Sequence, residues 1–169
     1  MRWLGQTCAV LAIALALPAS AGEPWQEIWD FDSIAAPAAS ITSNYQVAKE
    51  VSTTIERMFE RWNARDMEGY LDYCWKSPRL VIVGNGTLFT GWQEVHDKYT
   101  REYSNRELMG HSVIARVQVR LLSPDTAFTV VYWSCAFPKA IVVGMDTNYL
   151  QRFGDGWKVT MSHSTEGEM

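Results

Sequence analysis

The side chain best suited to acid–base chemistry is His163. It follows Trp157, Val159 and Met161 at two-residue spacing, so a strand would set all four on one face. An imidazole facing an apolar cavity titrates near neutral pH and can move a proton there. His96 stands beside Asp97 on a helical stretch and reads as a surface residue, and His111 opens a strand near a rim. Three histidines without ligand spacing predict no metal site. The second set is aromatic. Trp62, Tyr70, Tyr73, Trp75, Tyr99 and Trp133 fall on segments expected to surround a pocket, and with His163 they are the candidate ligand-binding residues. Ligand pockets are mostly apolar and aromatic, with few polar groups. The glycines at 84, 86, 91, 144, 154 and 156 sit at turns or strand bends, so no phosphate loop is expected. No Gly-x-Ser-x-Gly or Cys–His nucleophile pattern is present, and no cofactor is expected. Asn85-Gly86-Thr87 matches a glycosylation sequon, but Asn-Gly reads better as a hairpin turn.

These residues need elements to position them. Val51, Ile55, Met58, Phe59 and Trp62 recur at three- and four-residue spacing, which predicts a helix over about Lys49–Ala64. Asp66 is a suitable N-cap for a short second helix carrying Met67, Tyr70, Leu71 and Cys74. Leu80–Val83 and Thr87–Phe89 form a short hairpin around Asn85-Gly86. Thr90 and Gln93 make a capping box for a third helix, about Gly91–Tyr103, with Trp92, Val95, Tyr99 and Tyr103 on one side. The period then changes to two. Val113, Ala115, Val117, Val119 and Leu121 alternate with Ser112, Ile114, Arg116, Gln118 and Arg120, which predicts a strand with the first set buried. Ala127–Phe137 is almost wholly apolar, so this strand is expected to be covered on both faces, and a homodimer through the sheet follows. Ile141–Phe153 and the segment after Gly154-Asp155-Gly156 complete a four-stranded meander. Helices segregated from strands give an α+β fold. The expected form packs N-terminal helices in the concave face of a strongly curved antiparallel sheet, leaving a pocket between them.

The first 21 residues carry an export signature. Arg2 is followed by the apolar run Cys8–Leu17, then Pro18 and Ala19-Ser20-Ala21. The run is far below the ~20 residues of a membrane span. Cleavage after Ala21 is expected, then an N-terminal extension over 22–48 and one domain over 49–166, periplasmic or secreted. No later segment is long and apolar enough to insert in a membrane. The chain of 169 residues has a net charge of −4 and no basic cluster, which argues against nucleic acid as a partner. Cys74 and Cys135 are left as a pair that an oxidising compartment could join or leave free.

Several segments resemble one family. Glu56–Ser77 (ERMFERWNARDMEGYLDYCWKS) is similar to the aromatic-Asn-x-x-Asp opening, short helix and Tyr-x-Trp-Lys-Ser run of nuclear transport factor 2-like proteins. Thr90-Gly91-Trp92-Gln93 looks like their Gly-Trp helix start, and Met109-Gly110 like the opening of their first long strand. Gly156-Trp157-Lys158-Val159 through His163-Ser164-Thr165 resembles their closing strand, with Ser162 where the pattern often has Asp. The nearest branch is the SnoaL-like one found among exported bacterial proteins. The resemblance implies a cone-shaped α+β fold that hosts isomerases, cyclases, dehydratases, association domains and binders. Steroid-isomerase-like proton transfer would need a carboxylate base on the first short strand and a Tyr on the first helix. Leu80–Val83 has no carboxylate, and Met58 stands about where the Tyr would be.

Three functions follow as expectations. The first is an exported domain binding a small apolar molecule in an aromatic pocket. The second is a SnoaL-like enzyme using His163 as acid/base, with Asp146, Asn148 or Asp97 within its reach. The third is an assembly module with a filled cavity and an open apolar sheet face.

Overall fold

The computed structural model describes residues 38–168. The expected signal over 1–21 and the first part of the expected extension lie outside the described residues. Helix α1 covers Ala38–Asn63, starting well before Lys49. Ala48 is buried with Val51, Ile55 and Met58, so the apolar stripe continues upstream and helix replaces the last part of the expected extension. Helix α2 covers Met67–Leu71, and the Asp66 side chain caps it by accepting from Gly69 N at 2.9 Å. Strands β1 (Val81–Gly84) and β2 (Thr87–Thr90) form the hairpin. Asn85 and Gly86 both have positive φ, 50° and 75°, as the tight turn demands. Helix α3 covers Trp92–Glu102. Its capping differs from expectation: Gly91 is the N-cap, and Glu94 rather than Gln93 accepts from Thr90 N, at 2.8 Å. Gln93 instead reaches Asp97.

A 3-10 turn over Arg106–Met109 leads into the long strands β3 (His111–Ser123), β4 (Thr126–Ala136), β5 (Ile141–Phe153) and β6 (Gly156–Glu168). The six-stranded sheet has the order β2-β1-β6-β5-β4-β3 and is open. The long strands form the expected antiparallel meander, and β1 joins β6 in parallel. Helix α1 packs across β3 and β6, and its buried stripe meets Val119, Ala127, Val131, Leu150, Trp157 and Val159 in one core.

Two bulges correct the expected inward faces. In β3, Ile114 pairs with Trp133 and Arg116 with Tyr132, leaving Ala115 as an extra residue. The extra residue reverses the alternation. Ser112 and Ile114 therefore share the inner face with Val117, Val119 and Leu121, while Val113 is 54% exposed. In β6, Val159 pairs with Leu150 and Met161 with Tyr149, leaving Thr160 as the extra residue. Trp157 and Val159 point inward as expected, but beyond Thr160 the inner face passes to Ser162, Ser164 and Glu166. Met161 and His163 turn outward and are exposed.

Strand β4 also differs. Its inner residues Ala127, Thr129, Val131 and Cys135 are buried, whereas Tyr132 on the outer face is 40% exposed. Among the described residues, nothing covers Tyr132 on that face.

The end of α1 is tied to the start of β3. Trp62 Nε1 donates to Met109 O at 2.8 Å. Asn63 Nδ2 donates to Ser112 O, and Asn63 Oδ1 accepts from Ser112 N, both at 2.7 Å. One amide side chain thus takes the place of a neighbouring strand for Ser112. Asn63→Ala leaves a buried backbone donor and acceptor unpaired, a cost of ~2–4 kcal/mol. Urea unfolding should show a lower midpoint with an unchanged slope; an unchanged midpoint would refute this role.

Candidate functional site

A cavity of about 410 Å³ lies between the helices and the inner face of the sheet. Trp62, Tyr70, Tyr99 and Tyr103 make an aromatic wall. Trp62 meets Tyr70 and Tyr103 edge-on, with centroids 5.3 and 4.8 Å apart. Tyr70 stacks on Tyr99 at 6.0 Å, and Tyr99 tilts against Tyr103 at 5.8 Å. Burial raises the pKa of the Tyr70 and Tyr99 hydroxyls well above the usual range. Tyr103 is pushed up to about 12, by burial first and then by Glu102 and Glu166. These phenols stay protonated at any ordinary pH.

The opposite wall is the sheet. Asp146 and Asn148 project from β5, with Ser164 and Ser162 as their register partners on β6. Asn148 Nδ2 donates to Thr129 Oγ1 at 3.2 Å. Asp146 Oδ1 accepts from Trp133 Nε1 at 2.9 Å and from Ser164 Oγ at 2.7 Å. Both bonds fall on Oδ1, so Oδ2 is left to the cavity that the residue lines. Burial raises the Asp146 pKa, the two hydrogen bonds hold it down, and the nearby Glu166 charge raises it further. Gly144 permits this geometry: it is the register partner of Trp133, and a Cβ there would overlap the indole. The exposed lining residues Asn85, Thr87, Glu102 and Glu166 mark the mouth.

The expected site residues divide. Trp62, Tyr70, Tyr99 and Trp133 line the cavity. Tyr73 and Trp75 do not. The segment after α2 is extended along β6, with Trp75 N donating to Val159 O at 2.9 Å and Val159 N to Tyr73 O at 2.8 Å. Alternation then sends Cys74 into the cavity and its two neighbours away from it. Trp75 stacks on Phe153 instead, with Arg79 over its ring. His163 is outside as well, because the Thr160 bulge turns it to the outer face. It cannot reach the cavity, so its expected acid/base role is not supported by the geometry. His96 joins Glu68 at 2.9 Å, linking α3 to α2, and its pKa is raised chiefly by that hydrogen bond. Cys74 and Cys135 are buried free thiols in the cavity lining, and burial pushes Cys74 up to about 12. Thiols so raised are poor nucleophiles. No group of three or more His, Cys, Asp or Glu among the described residues is arranged to hold a metal.

From sequence alone, Asp146 and Asn148 stand only as partners for His163. A signal for them exists: two polar residues at two-residue spacing in mid-strand share one face, and there they face the cavity.

No protein-family model and no curated protein matches the sequence. Solved structures do. A nuclear transport factor 2-like protein of unknown function from Shewanella oneidensis superposes with a TM-score of 0.65 at 26% identity, covering 69% of this chain and 96% of that one. One from Pseudomonas putida, also of unknown function, gives 0.60 at 18% identity, covering 72% and 87%. A Streptomyces avermitilis member described as a candidate dehydratase gives 0.60 at 18% identity, covering 70% and 95%. The open sheet packed against its helices is the fold these proteins share. The chain belongs to the nuclear transport factor 2-like superfamily.

Trp133 tests the polar wall. Trp133→Phe removes the indole donor and with it one of the two bonds that hold the Asp146 pKa down. The Asp146 pKa should rise further, as followed by carboxyl ¹³C shift against pH. A group whose folded pKa is raised supports the fold below its unfolded value and loses that support as pH rises through the folded value. The variant should therefore lose more stability than the parent as pH rises from acid toward neutral. An unshifted carboxyl titration would show that the bond carries no weight.

Proposed function

We propose that this protein binds a small, largely apolar molecule whose polar end meets Asp146. The observation that carries the reading is the cavity itself. Its aromatic side chains do not fill it, and no hydrogen bond from the described residues falls on the second oxygen of Asp146. An assembly module with a packed interior fits this less well. The test uses a neutral fluorescent probe, N-phenyl-1-naphthylamine. It should bind at one site per chain, and Ser162→Trp, which places an indole in the cavity, should abolish binding without lowering the melting temperature much. No binding to the parent, or unchanged binding to the variant, would sink the reading.

A second reading is favoured by the desolvated Asp146 carboxyl. A buried carboxyl with a raised pKa can exchange a proton with a bound molecule, the role expected of His163 from sequence. It stands or falls on whether a bound molecule leaves the protein chemically changed.

Export and pairing belong to the same proposal. The pattern over residues 1–21 supports cleavage after Ala21 and a periplasmic or secreted protein. The outer sheet face exposes Val113 (54%), Tyr132 (40%), Ile141 (48%), Tyr149 (42%) and Met161 (47%), which supports a homodimer through that face. Protein recovered from the expressing cell should begin at Gly22 by mass and sediment as a dimer. A full-length or monomeric species would remove the corresponding part of the proposal.

A further inference from the structure

The charges around the cavity are lopsided. Asp146, Glu102 and Glu166 contribute carboxylates to its lining, and among the described residues Lys98 is the one basic side chain there. Lys98 is already engaged. Its ammonium pairs with Glu102 and lies over the rings of Phe89 and Tyr99, at 4.9 and 5.3 Å. No ion pair compensates Asp146 or Glu166 among the described residues, and the Glu166 charge lifts the Asp146 pKa while His163 on the outer face lowers it. Asp146 also keeps Oδ2 free inside the cavity, since both its donors bind Oδ1.

The rest of the lining suits the missing charge. Trp62, Tyr70, Tyr99, Tyr103 and Trp133 are among the rings that stand around the cavity. The face of an aromatic ring is electron-rich and attracts a cation, most strongly where water is excluded. A carboxylate or phosphate ligand would pass Glu166 at the mouth and then meet Asp146, against like charge at both points. A neutral ligand would leave the interior Asp146 carboxyl and the Glu166 carboxylate at the mouth without a counter-charge.

We propose that the ligand is an organic cation: an ammonium group with apolar substituents, its charge held between Asp146 Oδ2 and the rings and on the cavity side of Glu166. This rests on the small-molecule reading above and specifies its polar end. The nitrogen would neutralise the Asp146–Glu166 pair, and its substituents would occupy the space between Ile82, Val95 and the aromatic wall.

The test uses two probes of the same shape, benzyltrimethylammonium and its neutral carbon counterpart neopentylbenzene. Each competes with N-phenyl-1-naphthylamine for the parent protein and for Glu166→Gln and Asp146→Asn. Asn at 146 keeps an oxygen for Trp133 and Ser164, and Glu166 is exposed at the mouth, so both variants should fold. The cation should bind about tenfold or more tightly than the neutral probe. Each variant should narrow that gap severalfold while leaving the neutral probe's affinity unchanged. Equal or tighter binding of the neutral probe, or a cation preference that survives both substitutions, overturns the cation inference and leaves the small-molecule reading intact. Failure of the fluorescent probe itself to bind overturns both.

Discussion

The clasp between Asn63 and Ser112 sets the relation of helix to sheet. An amide side chain supplies both halves of a strand pairing to one backbone residue, and Trp62 adds a third bond one turn of chain away. Such bonds have a fixed direction, which hydrophobic contact alone lacks. They hold the C-terminal end of α1 against the start of β3 while Val51, Ile55 and Met58 seat the helix on the core. With that end fixed, Trp62 stands at the cavity and Asp66 starts α2 at the right place to bring Tyr70 beside it. The aromatic wall is a consequence of the clasp.

The opposite wall depends on two single-residue insertions. Ala115 and Thr160 each shift the phase of a long strand by one, and each exchanges a set of apolar side chains for another set. At Thr160 the exchange is from Met161 and His163 to Ser162, Ser164 and Glu166. It turns the far half of β6 from an apolar lining into a polar one. The residues it turns outward join the exposed tyrosines of β4 and β5 on the outer face. One bulge therefore shapes both the ligand wall and the surface available for pairing.

Between these walls sits an electrostatic imbalance. A carboxyl in a cavity lined with rings is costly to ionise. Here Trp133 and Ser164 offset part of that cost, and the missing side chain at Gly144 lets the indole lie where it can donate. The arrangement keeps a charge-bearing group inside the cavity, facing the aromatic wall. Structural carboxyls are seldom retained at such cost without a counterpart, which is why the cavity's chemistry points toward its ligand.

Much of this was readable in the residues. The stripe at 51, 55, 58, 59 and 62 gave a helix because burial on one face requires that period. Asp66 capped α2, Asn85-Gly86 turned the hairpin, and the meander appeared in order, all from local physics that acts within a few residues. Four of the six aromatic candidates, Trp62, Tyr70, Tyr99 and Trp133, line the cavity. What failed was phase. A bulge adds one residue with no distinctive composition, so nothing around Thr160 announces that His163 leaves the cavity and Ser164 enters it. Tyr73 and Trp75 were misplaced because a bridge to Val159 extended a segment that reads as helix end. The local sequence determined which elements form and which faces are apolar. Only the tertiary structure decided which side of each strand faces the cavity, because strand pairing across the sheet, and not neighbours along the chain, sets that phase.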